Sequence, residues 1–130
     1  MRFIAEAAST EVDLRQERFA PEALYQMAEA VQGKEIPVLD KFYQHAGVGF
    51  VDSAKVVGNK LIIEGELHSG LLGKTEGFVV PGIQVRQAHY EGEVWVDTDV
   101  RLVSFGLTKT PCDSSLSALR EMEFKKCAMD

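Results

Sequence analysis

The feature that most constrains this chain is the run VGFVDSAKVVGNKLIIEGEL from Val48 to Leu67, in which two apolar-rich arms flank Gly58-Asn59. A Gly-Asn pair tolerates the positive φ that a tight turn demands, so the run is predicted to be a β-hairpin. In its second arm Leu61, Ile63 and Leu67 fall on one face and Ile62, Glu64 and Glu66 on the other. That is the period-2 pattern of a half-buried strand.

Other segments read less sharply. Arg2-Phe3-Ile4-Ala5 forms a short first strand with no legible partner, followed by a polar stretch from Ser9 to Arg18. Pro21-Glu22 starts a helix, with proline in the first turn and an acid at the positive end of the dipole. Leu24, Met27, Ala28 and Val31 give that helix one apolar stripe, Tyr25 and Met27 read as packing residues, and Gly33 ends it. Ile36-Pro37-Val38-Leu39 is extended, because the residue before a proline is pushed out of the helical region. Loops follow at Asp40–Gly47 and, beyond the hairpin, at His68–Thr75. Gly77–Val85 is a strand interrupted at Pro81-Gly82, a turn or bulge signal suited to a sheet edge or a sharp bend. Val94-Trp95-Val96 and Val100–Leu107 add strands, and Ser114 or Ser115 caps a short C-terminal helix carrying Leu116 and Leu119. Five or six strands with one N-terminal and one short C-terminal helix predict an α+β domain, mostly antiparallel β, with its sheet curled into a small barrel.

Composition sets the remaining bounds. At 130 residues, 45% hydrophobic and 26% charged, the chain is sized for one domain, 1–130, with a modest core. No apolar run approaches the roughly 20 residues that cross a bilayer, and MRFIAEAAST lacks the apolar core of a secretory signal, so a soluble, unprocessed protein with no membrane partner is expected. Twenty acidic against 14 basic residues give a net charge of -6 without any phosphate-tracking basic stripe, which argues against nucleic acid. The doublet Lys125-Lys126 reads as a solvated tail. Cys112 and Cys127 are expected to be reduced thiols. His45, His68 and His89 show no metal-ligand spacing, and Gly70, Gly73 and Gly77 make no phosphate loop, so neither metal nor cofactor is expected. Glu64 and Glu66 read as a solvated strand face.

The order of elements, RFAPEALYQMAEAVQGKEIPV, then VGFVDSAKVVGNKLIIEGEL, FVVPGIQV and VRLVSFGLTKTPCD, resembles the prohead maturation protease family of tailed phages, whose barrel is related to the herpesvirus assemblin proteases. The resemblance covers residues 18 to 120 and lies in fold motifs. It implies a catalytic histidine in the loop before the hairpin, yet the matching position is Phe42, which cannot accept a proton; His45 lies three residues away. It implies a nucleophilic serine in the strand that matches Phe78-Val79-Val80-Pro81-Gly82-Ile83, which holds no Ser, Cys or Thr. Ser104 imitates the serine motif locally, but by chain order it matches a later strand in which the serine is structural.

Two functions follow from that resemblance. The first is a non-enzymatic virion protein, a pseudo-protease serving as capsid decoration or cement on the phage head, present in the host cytoplasm during assembly. Its partners would be the major capsid protein and other copies of itself, as a dimer or trimer. Interface candidates are Phe42, His45, Pro81, Tyr90 and Trp95, with a core role for Trp95 equally open. The alternative is a prohead serine protease that uses Ser104 as nucleophile and His45 or His89 as base. A third reading is a regulatory partner of a separate active protease.

Overall fold

In a computed structural model, residues 1–40, 47–68 and 77–122 are described. The expected hairpin is present: β4 (Gly47–Val57) and β5 (Lys60–Leu67) pair antiparallel through a turn in which Gly58 takes φ 61° and Asn59 stays at negative φ. Glycine at the first turn position suits the right-handed twist of the flanking strands. Along β5 the alternation read from the sequence is observed, with Leu61, Ile63, Gly65 and Leu67 buried. A Cβ at Gly65 would collide with the Phe50 carbonyl across the ladder, so the close approach of β4 and β5 requires glycine there.

The first strand is longer than its sequence signal. β1 (Arg2–Ser9) pairs antiparallel with β5, which supplies the partner the sequence left open. Its start is fixed by Arg2, which donates to both carboxylate oxygens of Asp52 at 2.7 and 3.0 Å. The helix α1 (Pro21–Val31) buries Ala23, Leu24, Met27, Ala28 and Val31, as its stripe predicts, and the chain leaves it through Gly33 at φ 70°. Tyr25 is not a packing residue: it sits on the outer face, 60% exposed.

Architecture turns on β6 (Phe78–Glu91) and β7 (Val94–Thr108), a long antiparallel ribbon joined at Gly92-Glu93. β6 pairs with β7 alone and therefore lies at an edge, with Pro81 on it and a register shift after Gly82, as the Pro-Gly signal predicts. The other edge of β7 is shared by two parallel strands. β2 (Glu17–Phe19) takes Trp95–Asp97, and β3 (Ile36–Asp40) takes Phe105–Leu107. From β3 the sheet continues through β4, β5 and β1 to β8 (Arg120–Glu121). The sheet is therefore mixed: mostly antiparallel, with parallel pairing confined to the β2 and β3 edge of β7.

Between its two parallel neighbours β7 has a stretch without a strand partner, and α1 lies over it. Val100 N–H donates to Gln26 Oε1 at 2.9 Å, and the Val100 carbonyl accepts from Arg86 at 3.1 Å. Asp99 ties the two side chains together, at 3.1 Å from Gln26 Nε2 and 3.2 Å from Arg86 Nε. Side chains thus satisfy backbone groups that would otherwise be buried unpaired, since Val100 is itself buried.

Two further expectations are overturned. The barrel does not close: β1 and β6 pack near each other, but no ladder joins them. The seam is bridged instead by the C-terminal segment, where Leu119 N–H donates to the Gly77 carbonyl at 2.9 Å and β8 pairs with β1. That segment is also not a helix. Ser115 N–H and Oγ both bond Asp113 Oδ1, Lys60 Nζ takes the Ser115 carbonyl at 2.7 Å, and Ser117 N–H donates to Glu6 Oε1 at 2.8 Å. With those backbone groups engaged by side chains, an i to i−4 ladder has nothing to build on. Leu116 and Leu119 are nonetheless buried, as anchors of an extended strap.

Gln26→Ala is expected to leave the fold in place but to cost about 1–2 kcal/mol in denaturant unfolding, because it strands the Val100 N–H in a buried position. An unchanged midpoint would show that this amide finds another acceptor.

Candidate functional site

Where the seam between β1 and β6 is left open, a cleft of about 290 Å³ enters the molecule. The small side chains Ala7 and Ala8 of β1 make the room, and Val80, Pro81 and Ile83 of β6 with Leu116 of the strap give it apolar walls. Its rim is polar. Asp13 accepts from the N–H groups of Arg15 and Glu17 at 2.8 and 3.0 Å, an Asx turn that bends the chain into β2. On the other side the buried Ser9 hydroxyl donates to Asp113 Oδ2.

Asp97 lines this cleft, only 3% exposed, on the β7 segment that pairs with β2. Its Oδ1 is sealed from solvent and has no hydrogen-bond donor. Burial first, and the nearby Glu17 second, push its carboxyl above the usual carboxylate range; Asp13 adds to this, while the Trp95 side chain and Arg15 pull the other way. Arg18, which also lines the cleft, is committed outward to Glu91 at 2.8 Å. Among the described residues no three His, Cys, Asp or Glu side chains gather to hold a metal ion.

The sequence-predicted residues fall in separate places. Tyr90 and Trp95 meet across the β6–β7 ribbon near its turn, edge to face at 4.8 Å between ring centroids. Tyr90 is 67% exposed, and Trp95 is half-buried rather than part of the core. Pro81 lies far down β6 in the cleft wall. Phe42 and His45 lie outside the described residues.

Ser104 pairs with Gly82, and a Cβ on that glycine would lie 2.9 Å from the serine hydroxyl, so the side chain fills space the glycine leaves. His89 pairs with Val96 and contacts Glu91 at 3.2 Å. At about 3.3 Å per strand residue, Ser104 and His89 stand roughly 25 Å apart along the ribbon. The structure does not bring this nucleophile–base pair together.

Comparison with protein-family models, curated proteins and solved structures found no match. No described helix is long and apolar enough to cross a membrane.

Asp97 was missed by sequence reasoning. The signal available was an acid at the centre of VWVDTDV, a run otherwise suited to burial. Because the folded state holds the Asp97 proton more tightly than the unfolded chain does, its contribution to stability is present at low pH. It is lost as pH rises from the ordinary carboxylate range through the raised folded value. Asp97→Asn is therefore expected to melt higher than the parent at neutral pH and to lose that advantage in acid. A parent at least as stable as the variant at pH 7 contradicts the assignment.

Proposed function

We propose that this chain is a non-enzymatic binding protein, and that its setting is the head of a tailed phage, where it decorates or cements the shell by docking on the major capsid protein. The observation that supports a binding role is the aromatic pair at the ribbon tip. Tyr90 presents a large amphipathic ring to solvent and is braced from behind by Trp95, so a contact there would cost little side-chain ordering. Val85, farther along the same edge strand, is also exposed.

The phage setting rests on the resemblance of the sequence segments alone, an analogy to which the open, mixed sheet adds nothing. Under this reading the protein assembles in the host cytoplasm and ends in the virion. A dimer or trimer would multiply a weak single contact, because a shell repeats one site many times.

The test is co-sedimentation with empty shells assembled from the major capsid protein of the same genome. Retention of intact chains at a fixed copy number is expected, with Tyr90→Ala retained at least about tenfold less while still folded, as a lost aromatic anchor implies. Failure to sediment overturns the capsid reading. New cleavage fragments would return Ser104 and His45 to consideration as a protease pair.

A further inference from the structure

The C-terminal strap, residues 113–122, is held to the sheet at separate points rather than along a ladder. Its neighbour β1 is laddered to β5 from Arg2 to Ser9, whereas the strap shares two paired positions with β1, Phe3 with Glu121 and Ile4 with Arg120. Elsewhere it is pinned. Asp113 accepts from Ser9 and Ser115 at one end. Near the middle, Glu6 Oε1 accepts from both Lys60 Nζ and the Ser117 N–H, each at 2.8 Å, and Lys60 in turn donates to the Ser115 carbonyl at 2.7 Å. At the far end Leu119 N–H donates to the Gly77 carbonyl at 2.9 Å and Met122 N–H to the Arg2 carbonyl at 3.0 Å. Leu116 and Leu119 are buried, while Ser114, Ser117, Ala118, Arg120 and Glu121 are exposed. A segment with two buried side chains and no continuous ladder opens at a lower free energy than the core strands beside it.

We infer that the strap is a latch over the seam between β1 and β6: residues 113–122 leave the sheet as one unit while β1, β4 and β5 stay paired, and Glu6 is the catch. One carboxylate oxygen holds the strap directly through Ser117 and indirectly through Lys60, so its loss loosens both attachments. These bonds are charge-assisted, and therefore stronger than the backbone bonds at Leu119 and Met122. Release strips β1 of its outer partner at Phe3 and Ile4 and empties the seats of Leu116 and Leu119. It also removes from the cleft the wall formed by Asp113 and Leu116. The cleft then runs into the uncovered seam, and access to it is set by how often the latch lifts.

Amide hydrogen exchange of the intact protein, followed by nuclear magnetic resonance under conditions where exchange reports the opening equilibrium, tests the latch. Ser117, Leu119 and Met122 are expected to share one level of protection, at least about tenfold below that of Ile63 in the interior of β5. Their exchange is also expected to depend less on denaturant than that of Ile63, because lifting the strap exposes less surface than unfolding the sheet. Glu6→Gln keeps an acceptor but removes the charge, and is expected to speed all three strap amides about tenfold and to the same degree. Leu119 and Met122 bond Gly77 and Arg2 rather than Glu6, so their acceleration marks a unit that opens whole, whereas a local loss moves Ser117 alone. Lys60→Met frees the same catch from its other side and decides the matter should Glu6→Gln fail to fold. Strap protection equal to that of Ile63, or folded variants in which Leu119 and Met122 exchange as in the parent, overturns the inference.

Discussion

The fold depends on how the two edges of β7 are filled. A strand of 15 residues offers more backbone groups than one partner on each side readily satisfies, and β6 follows it along one edge for nearly its whole length. The opposite edge is divided, with β2 near one end, β3 near the other, and the gap covered by α1 through Gln26. Because β2, α1 and β3 are consecutive in the chain, the helix is held over the gap by the strands on either side of it. The apolar stripe of α1 then faces the same core that β4, β5 and β1 line. Removing the side-chain bridge at Val100 would loosen the helix and the ribbon together.

The same arrangement leaves the sheet open. β1 ends in small residues with a bulge after Glu6, and its outer side is met by the strap rather than by β6. Where the strap crosses, the seam is sealed; beyond it, the cleft remains. Trp95 touches both the arm tip and a residue of the cleft, since its ring braces Tyr90 and its side chain acts on Asp97. The ionisable groups pull in opposite directions with pH. Hydrogen bonding to Arg2 holds Asp52 below the usual carboxylate range, and hydrogen bonding to Lys60 does so for Glu6, so both contribute above that range and lose their contribution in acid. Asp97 does the reverse.

Local signals were legible where a single element decides its own form. The Gly58-Asn59 turn, the alternation of β5, the proline start and glycine stop of α1 and the edge character of Pro81 all read directly from residues. What failed was long-range. Gly92-Glu93 has the same glycine-first turn as Gly58-Asn59, yet the polar strand residues before it hid the ribbon, because an exposed edge strand carries no alternation. β2 has three residues and no apolar pattern; it exists only because β7 has an edge to fill. The C-terminal helix was mistaken because Ser115 is not the cap: Asp113 accepts from its N–H and hydroxyl in a turn, after which Lys60 and Glu6 from distant strands claim the backbone. Barrel closure depends on two edges meeting, which no local pattern encodes. Of the site, Tyr90 and Trp95 were visible as large rings, whereas Asp97 became distinctive only once folding buried it with one oxygen left without a donor.

The central claim is that the fold leaves Asp97 buried with one carboxylate oxygen lacking a donor. The most direct measurement is a carbon-13 titration of its side-chain carboxyl by nuclear magnetic resonance, read against the exposed carboxylates of the same chain. A midpoint clearly above theirs is the predicted result. Titration in step with the exposed groups would contradict it.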